Sequence, residues 1–314
     1  YFSLFTLPVD GGIMITGSHN AAEYNGFKIC IGKEAIHGEE IQRLRRVMEA
    51  GQFTTGSGRL SSHPIIPDYL EHLKTNFSGV RADHLHVVID CGNGAASLVA
   101  KQALEQMGCR VTGLYDELDG RFPNHHPDPT VVENLQDLIA TVREQKADVG
   151  IGYDGDADRI GAVDESARPI WGDQLLVLYG RDAVRRFGPG VPVIFDVKCS
   201  ESLPAALTAA GARPVMWKTG HSLIKAKMKE EAAPLAGEMS GHIFFGGDWL
   251  GFDDALFAAA RLCEIVSRGP GGLAALLADL PETFATPELR VECSDETKFA
   301  IVEAAAAHFA ARYP

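Results

Sequence analysis

Three aspartates at alternate positions are the sequence feature that points most directly to chemistry. They are Asp154, Asp156 and Asp158, in the segment YDGDADR at 153–159. Carboxylates this close together repel one another unless a cation lies among them, and hard divalent cations prefer oxygen ligands. The spacing therefore favours a cation-binding loop, and the kind of loop is still open.

Three interpretations of this loop compete. An EF-hand would place Glu165 at its twelfth position, but Arg159 occupies the sixth, where glycine is needed, and the flanks have strand character. A phosphatase of the haloacid dehalogenase type would use Asp154 as nucleophile, and Asp154 and Asp156 fit its Asp-x-Asp motif loosely, but no convincing acidic pair follows at a later strand end. A solvated acidic turn is the third, and two further polar loops at matching strand ends count against it.

A second polar segment is GEMSGH at 237–242, which carries Glu238, Ser240 and His242 between glycines. Alternate residues of an extended loop point the same way, so these side chains can hold a polyhydroxyl ligand through several hydrogen bonds. The alternative is a surface turn in which Glu238 is solvated.

The segment WKTGHSLIKAKMKE places Lys218 and His221 just before a predicted helix. Backbone amides at a helix N-terminus favour an anion, so the two residues are candidates for binding a phosphate. The alternative is that Thr219 or Ser222 caps the helix and the charges lie in solvent.

Two other loops carry weaker signals. Lys198 follows a strand end in FDVKCS, where a lysine is usually solvated. His125 and His126 lie in FPNHHPDP with no third metal ligand nearby, so a packing or domain-linking role is expected.

Ser18 and His19 are adjacent in TGSHN at 16–20, a pair that suggests a hydrolase. Adjacent residues of an extended segment point to opposite sides, so His19 should be poorly placed to take the proton of Ser18. The chain also lacks a G-x-S-x-G elbow around this serine. If Ser18 reacts, we expect it to need help from other residues.

Two segments repeat one strand–helix–strand pattern and must position these loops. The repeats are 85–115 and 191–217. The first apolar run ends at Asp90 in one and at Asp196 in the other, and in each repeat a glycine ends the helix that follows. A further helix, a short strand and a loop that begins with a carboxylate come next. The pattern predicts two similar α/β domains in tandem, with parallel strands and loops at their carboxyl ends.

Turn-forming residues cluster at 61–67, 164–169 and 279–287. They predict four domain segments, at 1–65, 66–167, 168–281 and 282–314. The first holds a strand, the Ser18 loop and a second strand. The last is one strand and one amphipathic helix, too short to bury a core alone, so it should begin a further domain.

The composition limits the class of protein. The formal charge of −13, from 42 acidic and 29 basic residues, argues against nucleic-acid and membrane-surface partners. The six scattered cysteines include no CxxC pair, which predicts reduced thiols in the cytoplasm. No apolar run reaches the length of a membrane span. We expect a cytoplasmic protein, and a monomer.

Together the polar loops resemble those of the α-D-phosphohexomutases, most closely the bacterial phosphomannomutase/phosphoglucomutase branch. The matching segments, in order, are TGSHNAAEYNGFK, GYDGDADR, KTGHSLIK and GEMSGH, with FPNHHPDP between the first two. The resemblance implies tandem α/β domains with mixed sheets around a central cleft. It also implies that the first and fourth domains are truncated here.

The resemblance implies a role for each loop. Ser18 would be the phosphoserine and would bind one Mg²⁺ together with Asp154, Asp156 and Asp158. Lys28 is the favoured base with His242 as its partner, and Arg159 would stabilise charge. The implied substrate-binding residues are Glu238, Ser240, His242, His221, Lys218, Lys198 and His19.

The implied reaction interconverts hexose 1-phosphate and hexose 6-phosphate of mannose or glucose, with hexose 1,6-bisphosphate as intermediate and activator. The nearest alternative is a phosphoglucosamine mutase, although Met239 in GEMSGH favours the mannose/glucose branch. The other alternative is a non-catalytic phosphosugar-binding protein. The sequence departs from the family pattern at Ala21, usually proline, and Ala157, usually glycine. We expect both changes to alter loop mobility without removing a ligand.

Overall fold

The computed structural model describes residues 1–20, 24–51, 53–281, 283, 291–294 and 296–313. The chain divides into two compact units, Tyr1–Pro281 and Glu282–Pro314. Within the described ranges, none of the helices combines the length and the apolar character that crossing a membrane requires.

The first unit contains ten of the α-helices and all twelve strands found in the described residues. The helices are α1 (Phe2–Thr6), α2 (Glu39–Glu49), α3 (Ile65–Asn76), α4 (Ala100–Glu105), α5 (Gln136–Gln145), α6 (Gly172–Phe187), α7 (Ser202–Ala209), α8 (His221–Glu231), α9 (Ala255–Arg268) and α10 (Gly272–Leu276). The strands are β1 (Gly11–Thr16), β2 (Gly26–Ile31), β3 (Glu34–Ala35), β4 (His86–Asp90), β5 (Arg110–Leu114), β6 (Val149–Tyr153), β7 (Ile160–Asp164), β8 (Pro169–Ile170), β9 (Pro192–Asp196), β10 (Arg213–Trp217), β11 (Leu235–Gly237) and β12 (Ile243–Phe245).

The first sheet is an antiparallel meander in the order β1-β2-β3. Met14 of β1 lies opposite Lys28 of β2, and the loop between the two strands contains Ser18. The predicted strand, polar loop and strand are therefore present.

The two larger sheets share one topology, with strand orders β5-β4-β6-β7-β8 and β10-β9-β11-β12. In each, the earliest strand in sequence pairs in parallel with two neighbours, and the second of these neighbours pairs with an antiparallel strand. Asp90 and Asp196 end β4 and β9, while Asp154 and Glu238 directly follow β6 and β11. The tandem α/β prediction is confirmed, and carboxylates occupy matching carboxyl ends.

Alternate residues of the central strands face different cores, because side chains alternate across a sheet. Val87 and Ile89 of β4 belong to the large core that also contains residues of β9, α6 and α9. Val88 faces the opposite way and packs with residues of α5. The same alternation turns Ile194 of β9 toward α8.

A tight turn joins β7 to β8, which adds the last strand to the sheet. Asp164 Oδ1 accepts hydrogen bonds from the N–H groups of Ser166 and Arg168, each at 2.9 Å, and β8 then pairs with β7. The boundary drawn from the sequence between 167 and 168 falls inside this hairpin. The turn cluster at 61–67 immediately precedes and overlaps the start of α3, whereas most of 279–287 lies outside the described residues.

The second unit contains α11 (Lys298–Arg312), and no residue of this helix is buried. Val291–Ser294 are described without a strand, so the strand predicted in this segment is not formed there; its first residues, 289 and 290, lie outside the description. The described residues of the second unit include no other strand to pair with it, and an unpaired strand is not stable in water.

Candidate functional site

Ser18 lies after β1 in a left-handed backbone conformation, with φ of 50°. Its N–H donates to Thr16 Oγ1 at 2.8 Å, and its Oγ lies 3.0 Å from His19 Nδ1. The prediction that the two side chains point apart is wrong, because it assumed an extended segment. A left-handed residue turns the chain and brings its neighbour's side chain to the same side.

The aspartate loop joins β6 to β7 and lies against the serine loop. Asp154 is fully buried, and its Oδ1 accepts hydrogen bonds from the N–H groups of Asp158 and Arg159 at 3.0 and 3.1 Å. Its Oδ2 accepts a hydrogen bond from Ser18 Oγ at 3.1 Å. Antiparallel strands on both flanks exclude the EF-hand, and the contacts of Asp154 exclude a solvated turn.

Two residues that sequence reasoning missed hold these loops together. Thr16 Oγ1 donates to Asp156 Oδ2 at 3.0 Å while it accepts the N–H of Ser18. A Cβ atom on Gly155 would lie 2.0 Å from the carbonyl oxygen of Ser18, so only glycine allows this approach.

Ala157, where the family usually has glycine, has φ of 61°, a conformation that alanine adopts at a cost of about 1 kcal/mol. Ala21 lies outside the described residues.

The aspartates face a cation that the protein itself supplies. Lys28 Nζ, from β2, donates to Asp156 Oδ2 at 2.8 Å and also contacts Asp158 Oδ2. Burial lowers the pKa of Lys28, but the carboxylates of Asp158 and Asp156 outweigh it and raise the pKa above its ordinary value. Burial and the same two carboxylates raise the pKa of Asp154. The loop therefore holds more negative charge than it can easily keep without a cation.

A divalent cation fits the same donors. One carboxylate oxygen from each of Asp154, Asp156 and Asp158 lies within 4.8 Å of the others. Asp156 Oδ1 is buried, and no described residue gives it a hydrogen bond. A buried carboxylate oxygen without a partner is unfavourable, and a hard cation such as Mg²⁺ satisfies it.

Glu238, Ser240 and His242 lie on a tight turn between β11 and β12. The N–H of Glu238 donates to the carbonyl of His242 at 2.9 Å, and Gly241 has φ of 90°. The turn brings His242 Nδ1 within 2.7 Å of Glu238 Oε2 and 3.1 Å of Ser240 Oγ. The predicted extended loop is wrong because the hydrogen-bonded turn closes it. The alternative of a solvated Glu238 is wrong as well, since this residue is buried.

His242 is held between two carboxylates. Its Nε2 lies 3.2 Å from Asp158 Oδ1, on the side opposite Glu238. Burial lowers the pKa of His242, but Asp158 and Glu238 outweigh it and raise the pKa to about 10. The pKa of Glu238, which burial raises, is lowered overall by His242. The two carboxylates therefore favour the imidazolium form of His242.

Arg159 and His242 connect the aspartate loop to this turn. The two residues form an isolated antiparallel bridge, and Arg159 Nε lies 3.3 Å from His242 Nε2 and 3.9 Å from Asp154 Oδ2. The N–H of Ile160 donates to the carbonyl of Gly241 at 3.1 Å. The serine loop, the aspartate loop and the Glu238–His242 turn are thus one contiguous cluster.

His221 adjoins this cluster as the first residue of α8, not before the helix as predicted. Its ring lies 6.1 Å from that of His242, and its Nδ1 lies 3.5 Å from Asp253 Oδ2. Asp253, another residue missed from the sequence, also accepts a hydrogen bond from Lys225 Nζ at 3.3 Å.

Lys198 and Lys218 are exposed, and neither forms a hydrogen bond or ion pair with the residues that the structure describes. Gly220 caps α8 in place of the suggested Thr219, whose Oγ1 donates to Asp196 Oδ2 at 2.8 Å. The structure therefore does not bring these two lysines into the cluster.

The FPNHHPDP loop approaches the serine loop. His125 Nε2 lies 3.0 Å from Asp90 Oδ2, at the end of β4, and the ring of His126 lies 6.4 Å from that of His19. These contacts support the predicted packing role.

Comparison with known proteins finds three family domains along the chain. The family description "Phosphoglucomutase/phosphomannomutase, alpha/beta/alpha domain I" matches residues 1–55, domain II matches 67–167 and domain III matches 171–284. A solved family protein from Burkholderia thailandensis has a TM-score of 0.83 at 43% identity, covering 89% of this chain and 60% of that one. An Aspergillus fumigatus N-acetylphosphoglucosamine mutase shares the fold, with a TM-score of 0.62 at 17% identity. The match covers 89% of this chain and 74% of that one.

Sequence relatives give the same result. Phosphomannomutase/phosphoglucomutases of Pseudomonas syringae and Pseudomonas aeruginosa are each 47% identical over 304 residues, which is 97% of this chain and 65% of theirs. A phosphoglucomutase of Neisseria gonorrhoeae is 42% identical over 93% of this chain and 63% of its own length. The chain thus spans slightly less than two thirds of these relatives. It belongs to the phosphoglucomutase/phosphomannomutase family.

Proposed function

We propose that this protein interconverts hexose 1-phosphate and hexose 6-phosphate, with mannose and glucose as its sugars. Phosphate would be carried on Ser18, and hexose 1,6-bisphosphate would be both intermediate and activator. The observation that carries the proposal is the hydrogen bond from Ser18 Oγ to Asp154 Oδ2, within a set of carboxylates that suits Mg²⁺. The names of the 47% identical relatives support the choice of sugars.

The proposal includes a cytoplasmic monomer that handles hexose phosphates. It also includes four domain segments, at 1–65, 66–167, 168–281 and 282–314, of which the first three correspond to the matched family domains.

A phosphoryl group on Ser18 would lie among groups that suit its charge. Lys28 and Arg159 are the neighbouring cations, and both also contact the aspartate loop. Mg²⁺ bound by Asp154, Asp156 and Asp158 would neutralise phosphate charge and polarise the phosphoryl oxygens. Phosphoryl transfer requires mainly positioning and stabilisation of charge, which these cations supply.

The transfer breaks the bond from phosphorus to Ser18 Oγ and forms one from phosphorus to a sugar hydroxyl oxygen. The hydroxyl proton passes to a base, and Ser18 Oγ gains a proton. His19 Nδ1, at 3.0 Å, is placed to exchange the serine proton. Burial and the charge of Arg159 lower the pKa of His19, so its imidazole is neutral near pH 7. We therefore add proton exchange to the substrate contact predicted for His19.

Lys28 and His242 are the proposed proton carriers on the sugar side. Carboxylates hold both in their charged forms, so each is a proton donor as placed here. A base role for Lys28 requires that the charges of Asp156 and Asp158 be compensated first, since these carboxylates keep its pKa high. His242, fixed by Glu238, stays the proposed partner of Lys28, and its raised pKa suits it to act as the acid.

Sugar hydroxyls would be bound by the Glu238–His242 turn and by His221. Ser240 is the most accessible residue of the three on the turn, because Glu238 and His242 are buried. Glu238 Oε1 accepts the N–H of Gly220 at 2.5 Å, which ties the turn to the start of α8. Lys198 and Lys218 are proposed to contact the substrate from exposed positions.

The test is side-by-side rate measurement on glucose, mannose and glucosamine 1-phosphates with added hexose 1,6-bisphosphate. The proposal predicts higher rates on glucose and mannose, and no activity for Ser18→Ala. A highest rate on glucosamine phosphate would identify a phosphoglucosamine mutase. Binding of sugar phosphates by calorimetry with no conversion of any of them would favour the non-catalytic alternative.

A further inference from the structure

Two adjacent aspartates, Asp253 and Asp254, are buried in the turn before α9, and their surroundings differ. Asp254 caps the helix through the N–H groups of Leu256 and Phe257, at 3.1 and 3.0 Å. It also accepts hydrogen bonds from Tyr69 Oη and Trp249 Nε1. These contacts account fully for a buried carboxylate. The side chain of Asp253 has no comparable group of hydrogen bonds among the described residues.

The side chain of Asp253 faces the functional cluster instead. Its Oδ1 accepts a hydrogen bond from Lys225 Nζ at 3.3 Å, and its Oδ2 lies 3.5 Å from His221 Nδ1. One carboxylate oxygen of Asp253 and one of Asp158 lie within 4.8 Å of a ring nitrogen of His242. An antiparallel bridge to Phe244 fixes the backbone of Asp253 beside β12.

His221 Nδ1 and Asp253 Oδ2 are both buried, and within the described part of the chain neither has a hydrogen-bond partner. The two atoms lie 3.5 Å apart, so each is within reach as a partner for the other. A neutral histidine carries one ring proton, and the bond made by one nitrogen decides which nitrogen holds it. Asp253 can only accept when ionised, so the proton belongs on Nδ1.

The charge states agree with this pairing. Burial raises the pKa of Asp253, but Lys225, His242 and His221 together lower it overall, which favours the carboxylate form. Burial lowers the pKa of His221, which leaves its ring neutral near pH 7. With Nδ1 turned inward, the exposed third of the His221 side chain includes the opposite edge of the ring.

We infer that Asp253 is a positioning residue that holds His221 in the Nδ1–H tautomer, so that Nε2 accepts a hydrogen bond from a sugar hydroxyl. This inference rests on the proposed function for its ligand, a hexose phosphate. It gives His221 a role opposite to that of a phosphate-binding cation, because a neutral acceptor nitrogen attracts hydroxyls and not anions.

The substitution Asp253→Asn tests the tautomer of His221 directly. In Asp253→Asn, Lys225 is a donor only, so the amide oxygen must face Lys225 and the amide NH₂ must face His221. An NH₂ group opposite Nδ1 demands a lone pair there, which moves the ring proton to Nε2. Asp254→Asn is the matched control, since it neutralises the neighbouring buried carboxylate without touching His221.

The first measurement is the tautomer of His221 by ¹⁵N NMR of the ¹⁵N-histidine-labelled 314-residue chain, with the signal identified by its loss in His221→Asn. We expect Nδ1–H in the wild type and in Asp254→Asn, and Nε2–H in Asp253→Asn. An Nε2–H tautomer in the wild type overturns the inference, whether or not Asp253→Asn folds. An unchanged tautomer in folded Asp253→Asn does the same.

The second measurement is calorimetric binding of monodeoxy hexose 1-phosphates, which tests the acceptor role. One analogue, lacking the hydroxyl that His221 accepts, should bind the wild type about five- to tenfold more weakly than the parent sugar. The same analogue should bind Asp253→Asn and wild type equally, while the parent sugar loses affinity. A loss for every analogue alike contradicts the acceptor role. If no sugar phosphate binds at all, the proposed function fails and the acceptor role with it, whereas the NMR result still decides the tautomer.

Discussion

Ser18 Oγ donates a hydrogen bond to Asp154 Oδ2 at 3.1 Å, across 136 residues of sequence. The contact joins a loop of the three-stranded sheet to the carboxyl end of β6 in the next sheet. A serine hydroxyl beside a buried set of carboxylates is poorly explained as a turn residue, because a turn serine would cap its own loop. The relationship makes Ser18 and the aspartate loop one chemical unit.

Gly155 controls the approach of these two loops. In Gly155→Ala the new Cβ would meet the Ser18 carbonyl at 2.0 Å, so the serine loop must move away. We expect phosphate transfer to slow by about 100-fold, because a displacement of about 1 Å misaligns the reacting atoms. Gly120→Ala is the control, since nothing lies within 4 Å of its Cβ position. Equal rates in the two variants would show that the close approach is irrelevant to the reaction.

Thr16 links the serine loop to Asp156 through its hydroxyl group. Thr16→Val keeps the shape of the side chain but leaves the N–H of Ser18 without its acceptor, at a cost of about 1–3 kcal/mol. We expect kcat to fall about tenfold or more with little change in KM. Thr208→Val, which removes an exposed hydrogen bond within α7, should leave both parameters unchanged. A change in KM with kcat unaltered, or equal effects of both variants, would refute the link.

Lys28 is the internal cation of the aspartate loop. Lys28→Met should lower the free energy of unfolding by about 3 kcal/mol in EDTA, because it leaves buried carboxylates uncompensated. Added Mg²⁺ should restore much of this loss, and should stabilise the variant more than the wild type. Denaturant unfolding with and without Mg²⁺ measures both effects.

Lys229→Met is the control for that experiment, since its ammonium pairs with Glu34 at an exposed position. It should cost less than about 1 kcal/mol and show no added response to Mg²⁺. Asp156→Asn in the Lys28→Met background should abolish the response. If Mg²⁺ stabilises that double variant as much as Lys28→Met, the aspartates are not its ligands.

The charge of His242 predicts a specific pH dependence of stability. Its pKa is raised to about 10 in the folded protein from an ordinary value of 6.5. A raised pKa gives stability that is fully present below pH 6.5 and is lost as the pH rises through about 10. In EDTA, the stability difference between wild type and His242→Gln should therefore shrink as the pH rises across this window. His84→Gln, at an exposed site, is the control, and a difference that is constant or grows with pH would contradict the charge assignment.

Much of the fold follows from local sequence signals. The structure contains the predicted strands that end at Asp90 and Asp196. It also contains the helices that follow them, each ended by a glycine as the sequence predicts. The cluster of Asp154, Asp156 and Asp158 was predictable, because three carboxylates at alternate positions of one loop lie close together. Loops at carboxyl ends of parallel strands then place Asp154 and Glu238 at equivalent positions.

The rest of the site depends on backbone geometry that residue types do not reveal. Ser18 has a positive φ without being glycine, so its contact with His19 contradicted a sound expectation for extended chains. Asp253 sits in GFDD beside an aspartate that merely caps a helix, and no spacing distinguishes the two. Their difference arises from which residues the fold brings opposite each one.

The central claim is that Ser18 carries the phosphate. Intact-protein mass spectrometry after incubation with glucose 1,6-bisphosphate and Mg²⁺ tests it most directly, with peptide mapping to locate the group. The account predicts a gain of one phosphoryl group, found on Ser18 and missing in Ser18→Ala. No gain in the wild type, or a phosphate that maps to another residue, would contradict it.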